Sequence, residues 1–371
     1  MDKYSKNNKI NYLLFILSAV LSIFLVEAYL AFTMPVKKNT SSRAIVLREN
    51  RPSITKKIFP SKRQINRSDN LDNKEYILEI DENGYVAPSK IYDEPDVNIV
   101  FLGGSTTENI FMDEDSRFPY LAGRIIDKEL NKKINSYNCG LSGNHTLHSI
   151  NLFLNKALEL DPDIAVMMHN VNDLTTLIHE GKYWNKGSRK LVKTIVSNPP
   201  YNDISITKII KSFLPRLYYR LYLFKKQVLA KNKVLEDEFA DKRNNSYIID
   251  EKKILKNIAS NFNIFISICN SYNIIPVLMT QPNRFNKNID KKLLNIWWHE
   301  ENISHEEYSN IYHKINNLIK RIGEENDVLV IDLESKVPKN SKYMYDLVHL
   351  TDYGSKFASK IIAKNLQKLI F

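Results

Sequence analysis

Short apolar runs alternate with helical patterns from residue 96 onward, and this alternation restricts the folds open to the chain. The runs predicted as strands are 98–102, 134–138, 164–168, 274–279 and 328–331. Apolar residues at helical spacing alternate with them, over about 117–130, 146–160, 251–272, 303–322 and 353–369. Strands that alternate with helices form parallel sheets covered by helices on both faces. The sequence therefore predicts an α/β domain with an open, mostly parallel sheet.

The beginning of the chain contains a segment long enough to cross a membrane. Residues 10–34 form one apolar stretch, preceded by Lys3, Lys6 and Lys9. About 20 apolar residues span the hydrocarbon layer, and lysines favour the cytoplasmic side. We expect an uncleaved anchor with its N-terminus in the cytoplasm and the rest of the chain outside, although Lys37 and Lys38 oppose that orientation. The alternatives are a cleaved signal peptide and a buried core helix, the second of which would not explain the lysines.

Two further segments lie outside the alternation. Residues 35–67 are polar and basic without a sustained period, which predicts a stalk, and with a strand at 76–80 they form an extension over 35–95. Residues 181–250 interrupt the alternation and carry apolar residues at helical spacing from Ile206 to Val228, with a kink expected at Pro215. We expect this insertion to pack on the main domain, with a membrane-surface or partner helix as the alternative. The predicted regions are 1–34, 35–95 and 96–371.

The composition excludes several classes of protein. Hydrophobic residues make up 43% of the 371 residues and the mean hydropathy is −0.35, which excludes a disordered chain and a membrane protein with many spans. The net charge of +11 would suit a nucleic-acid-binding protein. However, the basic excess lies in 1–67 and 181–245 without a nucleic-acid-binding motif, so we expect no such partner. The two cysteines, Cys139 and Cys269, cannot form a disulfide framework and are expected to be buried.

A serine follows the first predicted strand of the alternation. Ligands of open α/β sheets bind at the carboxyl ends of the strands. Ser105 lies there, in Gly103-Gly-Ser-Thr-Thr-Glu108, beside the start of a helix whose amides favour negative charge. A phosphate-binding loop or a plain helix cap is the alternative. The segment lacks both glycine-rich nucleotide-binding motifs, which disfavours a nucleotide.

Other polar residues follow the later strands. Gly143 and Asn172 come after the next two, and with the amide of Ser105 they would offer three donors to a tetrahedral oxyanion. Near the C-terminus, Asp346 precedes His349 by three residues, so its carboxylate can orient an imidazole that accepts a proton from a hydroxyl. A turn glycine, a helix-capping asparagine and a surface Asp and His are the alternatives for the single residues. The ordered set favours acyl transfer.

With these residues the chain resembles the SGNH (GDSL-type) hydrolase superfamily, over roughly 96–180 and 250–370 and in the manner of a membrane-anchored bacterial envelope member. The resemblance implies that Ser105 is the nucleophile, His349 the general base and Asp346 its orienting carboxylate. It implies that Gly143 and Asn172 form the oxyanion hole with the Ser105 amide. It also implies a flavodoxin-like, three-layer α/β/α domain that hydrolyses acyl esters without a metal or another cofactor.

The motifs of the family are matched with two departures. The first motif falls on Gly103-Gly-Ser-Thr106, with Gly104 in place of its aspartate and Thr106 in place of its leucine. The third motif, G-x-N-D, falls on Asn170-Val-Asn-Asp173, so Asn170 replaces a glycine and the backbone is expected to differ there. Neither departure changes an atom assigned to the chemistry.

The residues and the resemblance together predict a serine esterase. Its expected substrates are acyl esters of envelope glycans or lipids, most plausibly O-acetyl groups of a surface polysaccharide. Transfer of O-acetyl groups to such a glycan is the first alternative. A non-catalytic, glycan-binding scaffold of the same fold is the second, and the intact set of Ser105, Asp346 and His349 speaks against it. Oligomeric state is not predicted.

The histidines and tryptophans outside the motifs suggest two further sites, which we regard as unfavoured. His145 and His148 are three residues apart, and a His/Glu cluster lies downstream over 299–313, but no HExxH zinc motif is present, so no metal is expected. Trp184, Trp297 and Trp298 would suit sugar stacking, although core or surface packing is the favoured interpretation.

Overall fold

The chain divides into two units in this computed structural model. The first comprises Met1–Val46 and Ile195–Glu236, and the second comprises Leu47–Thr194 and Asp237–Phe371. The structure describes residues 2–33, 47–184, 212–230, 249–285, 293 and 303–370. All the candidate site residues belong to the second unit.

The first unit contains the apolar N-terminal helix, α1 (Asp2–Thr33). Residues Ile10–Thr33 form 24 residues with a mean hydropathy of 2.4, long and apolar enough to cross a membrane. Most of their side chains are exposed, which is typical of a helix that needs an apolar surrounding.

The remaining elements follow in chain order. They are β1 (Ile54–Ile58), α2 (Lys62–Asn66), β2 (Tyr76–Ile80), β3 (Val97–Gly103), α3 (Ser105–Glu108), α4 (Phe118–Leu130), β4 (Ile134–Asn138), α5 (Thr146–Asn155), β5 (Ile164–Met168), α6 (Val171–Glu180), α7 (Pro215–Ala230), α8 (Glu251–Ser271), β6 (Ile275–Met279), α9 (His305–Glu325), β7 (Leu329–Ile331), α10 (Leu333–Lys336) and α11 (Asp352–Leu366). Short 3₁₀ segments lie at Glu114–Ser116, Ala157–Leu160 and Gln367–Leu369.

Five strands form one parallel sheet in the order β4-β3-β5-β6-β7. Counted within the domain this order is 2-1-3-4-5, which is the flavodoxin-like order of doubly wound folds. The predicted fold class is therefore confirmed. The strand order reverses at β3, and ligands of such sheets bind outside the carboxyl ends of the strands at this switch point. Ser105 is the second residue after β3.

Helices cover both faces of the sheet, which gives three layers. Successive residues of β3 point to opposite faces, so Val100 and Leu102 join one core while Ile99 and Phe101 join the other. The first core contains the buried faces of α5, α6, α8 and α9, and the second contains those of α4 and α11. Because the central strands are buried on both faces, they are continuous apolar runs rather than alternating ones.

The predicted helices and strands of the main domain are present, with small differences at their ends. The helix predicted over 146–160 ends at Asn155 and continues as a 3₁₀ segment. The break lies at Lys156, whose backbone leaves helical geometry and whose buried ammonium lies 2.8 Å from the carboxylate of Glu49. A tertiary ion pair thus sets a boundary that local periodicity does not show.

The predicted stalk differs from the structure. Where residues 35–67 predict no regular element, β1 pairs antiparallel with β2, with Ile54 opposite Ile80, and α2 follows β1 with a capping box at Ser61. The strand ITKKI contains only two apolar residues, which is too few for a reliable period-2 pattern. β1 and α2 belong to the second unit, which begins at Leu47.

The structure describes part of the insertion. Ile206 and Ile210 lie outside the described residues, but Ser212 and Phe213 are helical, Leu214 forms a bend and α7 begins at Pro215, so the helix is interrupted where the kink was predicted. α7 belongs to the first unit, and packing of the insertion on the main domain stays a prediction. The carboxylate of Glu27 in α1 accepts hydrogen bonds from the amides of Arg216 and Leu217, at 3.0 and 2.8 Å. Glu27 thereby satisfies amides that the first turn of α7 leaves free.

Candidate active site

The turn that presents Ser105 is built from two glycines. A Cβ atom on Gly103 would meet Thr107, and one on Gly104 would lie 2.3 Å from Nδ2 of Asn172 and 3.0 Å from the carbonyl oxygen of Asn144. Gly104 therefore allows the Asn172 side chain to pack directly beside the residue that precedes Ser105. This close contact explains why a residue with a side chain, such as the aspartate of the family motif, does not occur here.

Ser105, His349 and Asp346 form a hydrogen-bonded chain. Oγ of Ser105 lies 2.8 Å from Nε2 of His349, and Nδ1 of the same ring lies 2.7 Å from Oδ2 of Asp346. The structure thus brings together residues separated by 244 positions. A hydroxyl, an imidazole and a carboxylate in this order match the geometry of a nucleophile, its base and the group that orients the base.

A tight loop between Met344 and Leu350 places the base beside its carboxylate. The two end residues form an antiparallel bridge, and the amide of Tyr345 donates to the carbonyl of His349 at 3.0 Å. Oδ1 of Asp346 accepts the amides of Val348 and His349, both at 2.8 Å, as short side chains do in turns. The backbone amides therefore fix the carboxylate through Oδ1, and Oδ2 remains available to the imidazole.

The electrostatics of the loop keep Asp346 ionised. Burial alone would raise the pKa of this carboxyl, but the imidazole of His349 and the two backbone amides lower it more, so its pKa lies below the ordinary value. An ionised Asp346 accepts hydrogen bonds only. It therefore holds the proton of His349 on Nδ1 and leaves Nε2 free to accept a proton from Ser105.

An aromatic ring fixes the plane of the imidazole. The ring of Tyr345 is buried and stacks on that of His349, with centroids 5.5 Å apart and an angle of 5° between the planes. Behind it, Phe111 packs edge-on against Tyr345 and against Tyr76 of β2. The stack opposes rotation of the ring about its Cβ–Cγ bond, so that both nitrogens keep their partners.

Donors for an oxyanion lie at the same edge of the sheet. The amide of Ser105 is the first of α3 and precedes the amides of Thr107 and Glu108, which donate to the carbonyl of Gly104. Nδ2 of Asn172 donates one hydrogen to the carbonyl of Asn144 at 2.8 Å, and an amide nitrogen carries a second. Gly143 adopts a φ of +82°, in the left-handed region that favours glycine. The structure therefore brings the three predicted donors to one edge of the sheet.

Two residues that the sequence did not indicate support this arrangement. Glu108, the last residue of α3, is buried, and its Oε2 accepts from the amide and the hydroxyl of Ser142 at 2.6 and 2.5 Å. Gln281 follows β6 and donates to Thr106 at 2.9 Å while accepting from the amide of Val171, also at 2.9 Å. It thus joins the nucleophile helix to the start of α6. Its position after a strand was the signal that could have identified it.

The second family departure, Asn170, has a structural explanation. Its side chain donates to the carbonyl of Tyr312 and to Oδ1 of Asn316, both at 3.0 Å. Both partners lie on α9, so the asparagine fastens the end of β5 to a neighbouring helix. Its φ of −166° is extended backbone that any residue adopts, so no glycine is needed there.

The remaining candidates do not assemble into a second site. Among the described residues, no group of three His, Cys, Asp or Glu side chains is placed to hold a metal ion. The rings of His145 and His148 stack on each other at the start of α5, and Nδ1 of each ring accepts a hydrogen bond from the backbone amide of the other residue. His299, Trp297 and Trp298 lie outside the described residues. Trp184 is half exposed, and both cysteines are buried thiols, as predicted.

Sequence comparison finds no match, whereas structural comparison finds several similar structures. No family model and no curated protein matches the sequence. A lipase/acylhydrolase from Enterococcus faecalis is similar at 13% identity and a TM-score of 0.43, over 74% of this chain and 97% of that one. An acetyl xylan esterase from Geobacillus stearothermophilus is similar at 12% identity and 0.41, over 74% and 95%. A protein from Parabacteroides merdae described as a GDSL-like lipase is similar at 14% and 0.42, over 74% and 98%.

Proposed function

We propose that the chain is a serine acyl hydrolase of the SGNH type. In the first step Ser105 Oγ attacks the carbonyl carbon of an ester while Nε2 of His349 takes the hydroxyl proton. The tetrahedral oxyanion is bound by the Ser105 amide, the Gly143 amide and Nδ2 of Asn172. The imidazolium then gives its proton to the leaving alcohol. Water, deprotonated by the same ring, hydrolyses the acyl-serine and restores the free hydroxyl.

The observation that carries this proposal is the continuous chain from Ser105 through His349 to Asp346. Both links are 2.7–2.8 Å long, within the reach that proton transfer requires. The members come from the end of β3 and from the loop before α11, on opposite ends of the domain sequence. A binding module has no need for a serine, a base and an orienting carboxylate in this order, so catalysis explains the site better than a scaffold does.

We extend the proposal to substrate and location. The acyl group is acetyl, and its alcohol is a glycan or lipid of a cell envelope. The location follows from α1, which suits a membrane anchor, and from Lys3, Lys6 and Lys9, which favour the cytoplasm for the start of the chain. We expect the full chain to resist alkaline extraction from membranes, and we expect an external protease to digest the catalytic domain. Release by alkali, or protection of the domain in intact cells, would contradict the anchor or its orientation.

The test of the reaction is turnover of a chromogenic acetyl ester by the full chain. We expect Ser105→Ala to lower kcat/KM at least about 10³-fold, because it removes the hydroxyl that lies 2.8 Å from Nε2 of His349. Ser267→Ala, an exposed serine on α8, is the matched control and is expected to keep full activity. Equal rates for Ser105→Ala and the unsubstituted chain, or no turnover by either, would contradict the proposal and favour a binding module. Adding glycan acceptors distinguishes the products, since hydrolysis releases acetate whereas transfer yields acetylated sugar.

A further inference from the structure

Three consecutive residues of the predicted stalk bind three different parts of the catalytic domain. Arg48 contacts the loop that follows β4, Glu49 contacts Lys156 at the end of α5, and Asn50 contacts Glu108 of the nucleophile helix. We call residues 48–50 the strap, and two of its contacts lead directly to the proposed oxyanion hole.

The first of these contacts runs through Asn50. This side chain is buried, its Nδ2 donates to Oε1 of Glu108 at 3.2 Å, and its Oδ1 accepts from Nζ of Lys56 at 2.9 Å. The other oxygen of Glu108 holds the amide and hydroxyl of Ser142. A buried carboxylate is costly unless its oxygens are satisfied. Asn50 therefore stabilises the group that fixes Ser142, the residue immediately before Gly143.

The second contact runs through Arg48. Its Nη1 donates to Oδ1 of Asn144 at 2.9 Å, while the carbonyl of Asn144 accepts from Nδ2 of Asn172 at 2.8 Å. Asn144 is fully buried and immediately follows Gly143. The strap thus contacts both neighbours of Gly143. It contacts Ser142 through Glu108, and it contacts Asn144 by the direct hydrogen bond from Arg48.

The loop that contains Gly143 has one turn of its own, in which the amide of Asn144 donates to the carbonyl of Leu141 at 2.9 Å. It also contains two glycines, and glycine permits many backbone conformations. A donor for an oxyanion must be held within a fraction of an ångström, because a displacement of 1 Å can cost about 10²-fold in rate. Hydrogen bonds from outside the loop add to its rigidity, and the strap contributes one directly, from Arg48 to Asn144, and one indirectly, from Asn50 through Glu108.

We propose that Arg48 and Asn50 are positioning residues of the active site, which fix the Gly143 amide and the Asn172 amide for the developing oxyanion. This inference rests on the proposed function. If it holds, residues 48–50 contribute to catalysis and do more than connect two parts of the chain.

The experiment compares strap variants of the full chain on the acetyl ester. We expect Arg48→Gln and Asn50→Ala to lower kcat about 10- to 100-fold with KM changed less than about twofold, because the interaction lost exists in the transition state. Arg48→Lys should recover part of the loss, since it keeps a donor at this position. Glu49→Gln is the matched control within the strap, because its ion pair joins Lys156 instead, and it should keep the kcat of the unsubstituted chain.

Two further readouts separate positioning from a structural role. Affinity for a trifluoromethyl ketone, which forms an oxyanion on the serine, should fall by the same factor as kcat, while the pH profile of kcat stays unchanged because the triad is untouched. Equal losses in all three strap variants, or losses confined to KM, would overturn the inference. If Asn50→Ala does not fold, Arg48→Gln alone decides. If Arg48→Gln and Asn50→Ala keep full activity while Ser105→Ala is inactive, only this inference is refuted. If Ser105→Ala is active, the proposed function is refuted.

Discussion

Each residue of the candidate site has a second partner that fixes it in place. Asp346 is held by backbone amides, His349 is stacked on Tyr345, and Asn172 is tied to the carbonyl of Asn144. Gly104 contributes by lacking a side chain, since the amide of Asn172 lies where its Cβ would be. Preorganisation of this kind is what an oxyanion hole requires, because donors that must reorient during the reaction stabilise it less.

Gly104→Ala tests this claim at the scale of one atom. The added methyl would displace Asn172, so we expect kcat/KM for the acetyl ester to fall about 100-fold, the loss typical of one oxyanion donor. Gly123→Ala in α4 is the matched control, because its Cβ would lie 2.6 Å from the side chain of Ser136 in β4, away from the site. Both variants should unfold at lower urea concentration, but only Gly104→Ala should lose activity. Parallel losses of activity in the two variants would contradict the assignment.

At the scale of elements, a buried polar network joins α5, α6 and α8 behind the site. Asp173 on α6 accepts from the hydroxyls of Thr146 and Tyr183, both at 2.6 Å, and Asn261 on α8 donates to Thr146 at 2.7 Å. Burial raises the pKa of Asp173 to about 6. Burial lowers the pKa of His169 to about 3, and it likewise lowers that of His148 to about 3, with Arg48 adding to the effect.

These shifts predict how stability depends on pH. Below about 6.5 the unfolded chain protonates both histidines while the folded chain does not, so stability falls as pH falls from about 6.5 toward 3. Between about 6 and 3.8, the folded chain binds an extra proton at Asp173, which offsets one histidine. A net dependence of roughly 1.4 kcal/mol per pH unit is therefore expected from these groups between pH 6 and 4.

His169→Gln isolates one contribution. The glutamine keeps a polar contact for Ser149, whose hydroxyl lies 2.7 Å from the imidazole, but it cannot be protonated. We expect the slope of the unfolding free energy against pH to decrease by roughly 1.4 kcal/mol per unit between pH 6 and 4. Urea unfolding at several pH values measures it. An unchanged slope would show that His169 is protonated in the folded chain.

At the scale of the molecule, the sequence predicts the elements whose signal is local. The strands 134–138 and 164–168 agree with the structure at both ends. The second is an uninterrupted apolar run bounded by polar residues, which makes its ends visible in the sequence. Other features depend on partners distant in the chain, and a local pattern cannot predict them. They are the end of α5 at Asn155, the pairing of β1 with β2 and the placement of α7. The strap belongs to this second class, since Arg48 and Asn50 gain a role only when Asn144 and Glu108 meet them.

The candidate site divides in the same way. Ser105, Asn172 and His349 follow strands or lie in short motifs, which made them visible in the sequence. Glu108 and Gln281 act through hydrogen bonds to other residues of the site, and such supporting residues have no fixed spacing from the groups they hold. The sequence thus indicates the residues that we propose to touch the substrate, and it does not indicate those that position them.

The most direct test of the central claim is mass spectrometry of the full chain after reaction with a fluorophosphonate probe. An activated serine attacks phosphorus and becomes covalently labelled, whereas an ordinary serine does not. We predict a single adduct on the peptide that contains Ser105, and its loss in His349→Gln, which cannot deprotonate the hydroxyl. Labelling of Ser149, the buried serine beside His169, or undiminished labelling of Ser105 in His349→Gln, would contradict the account.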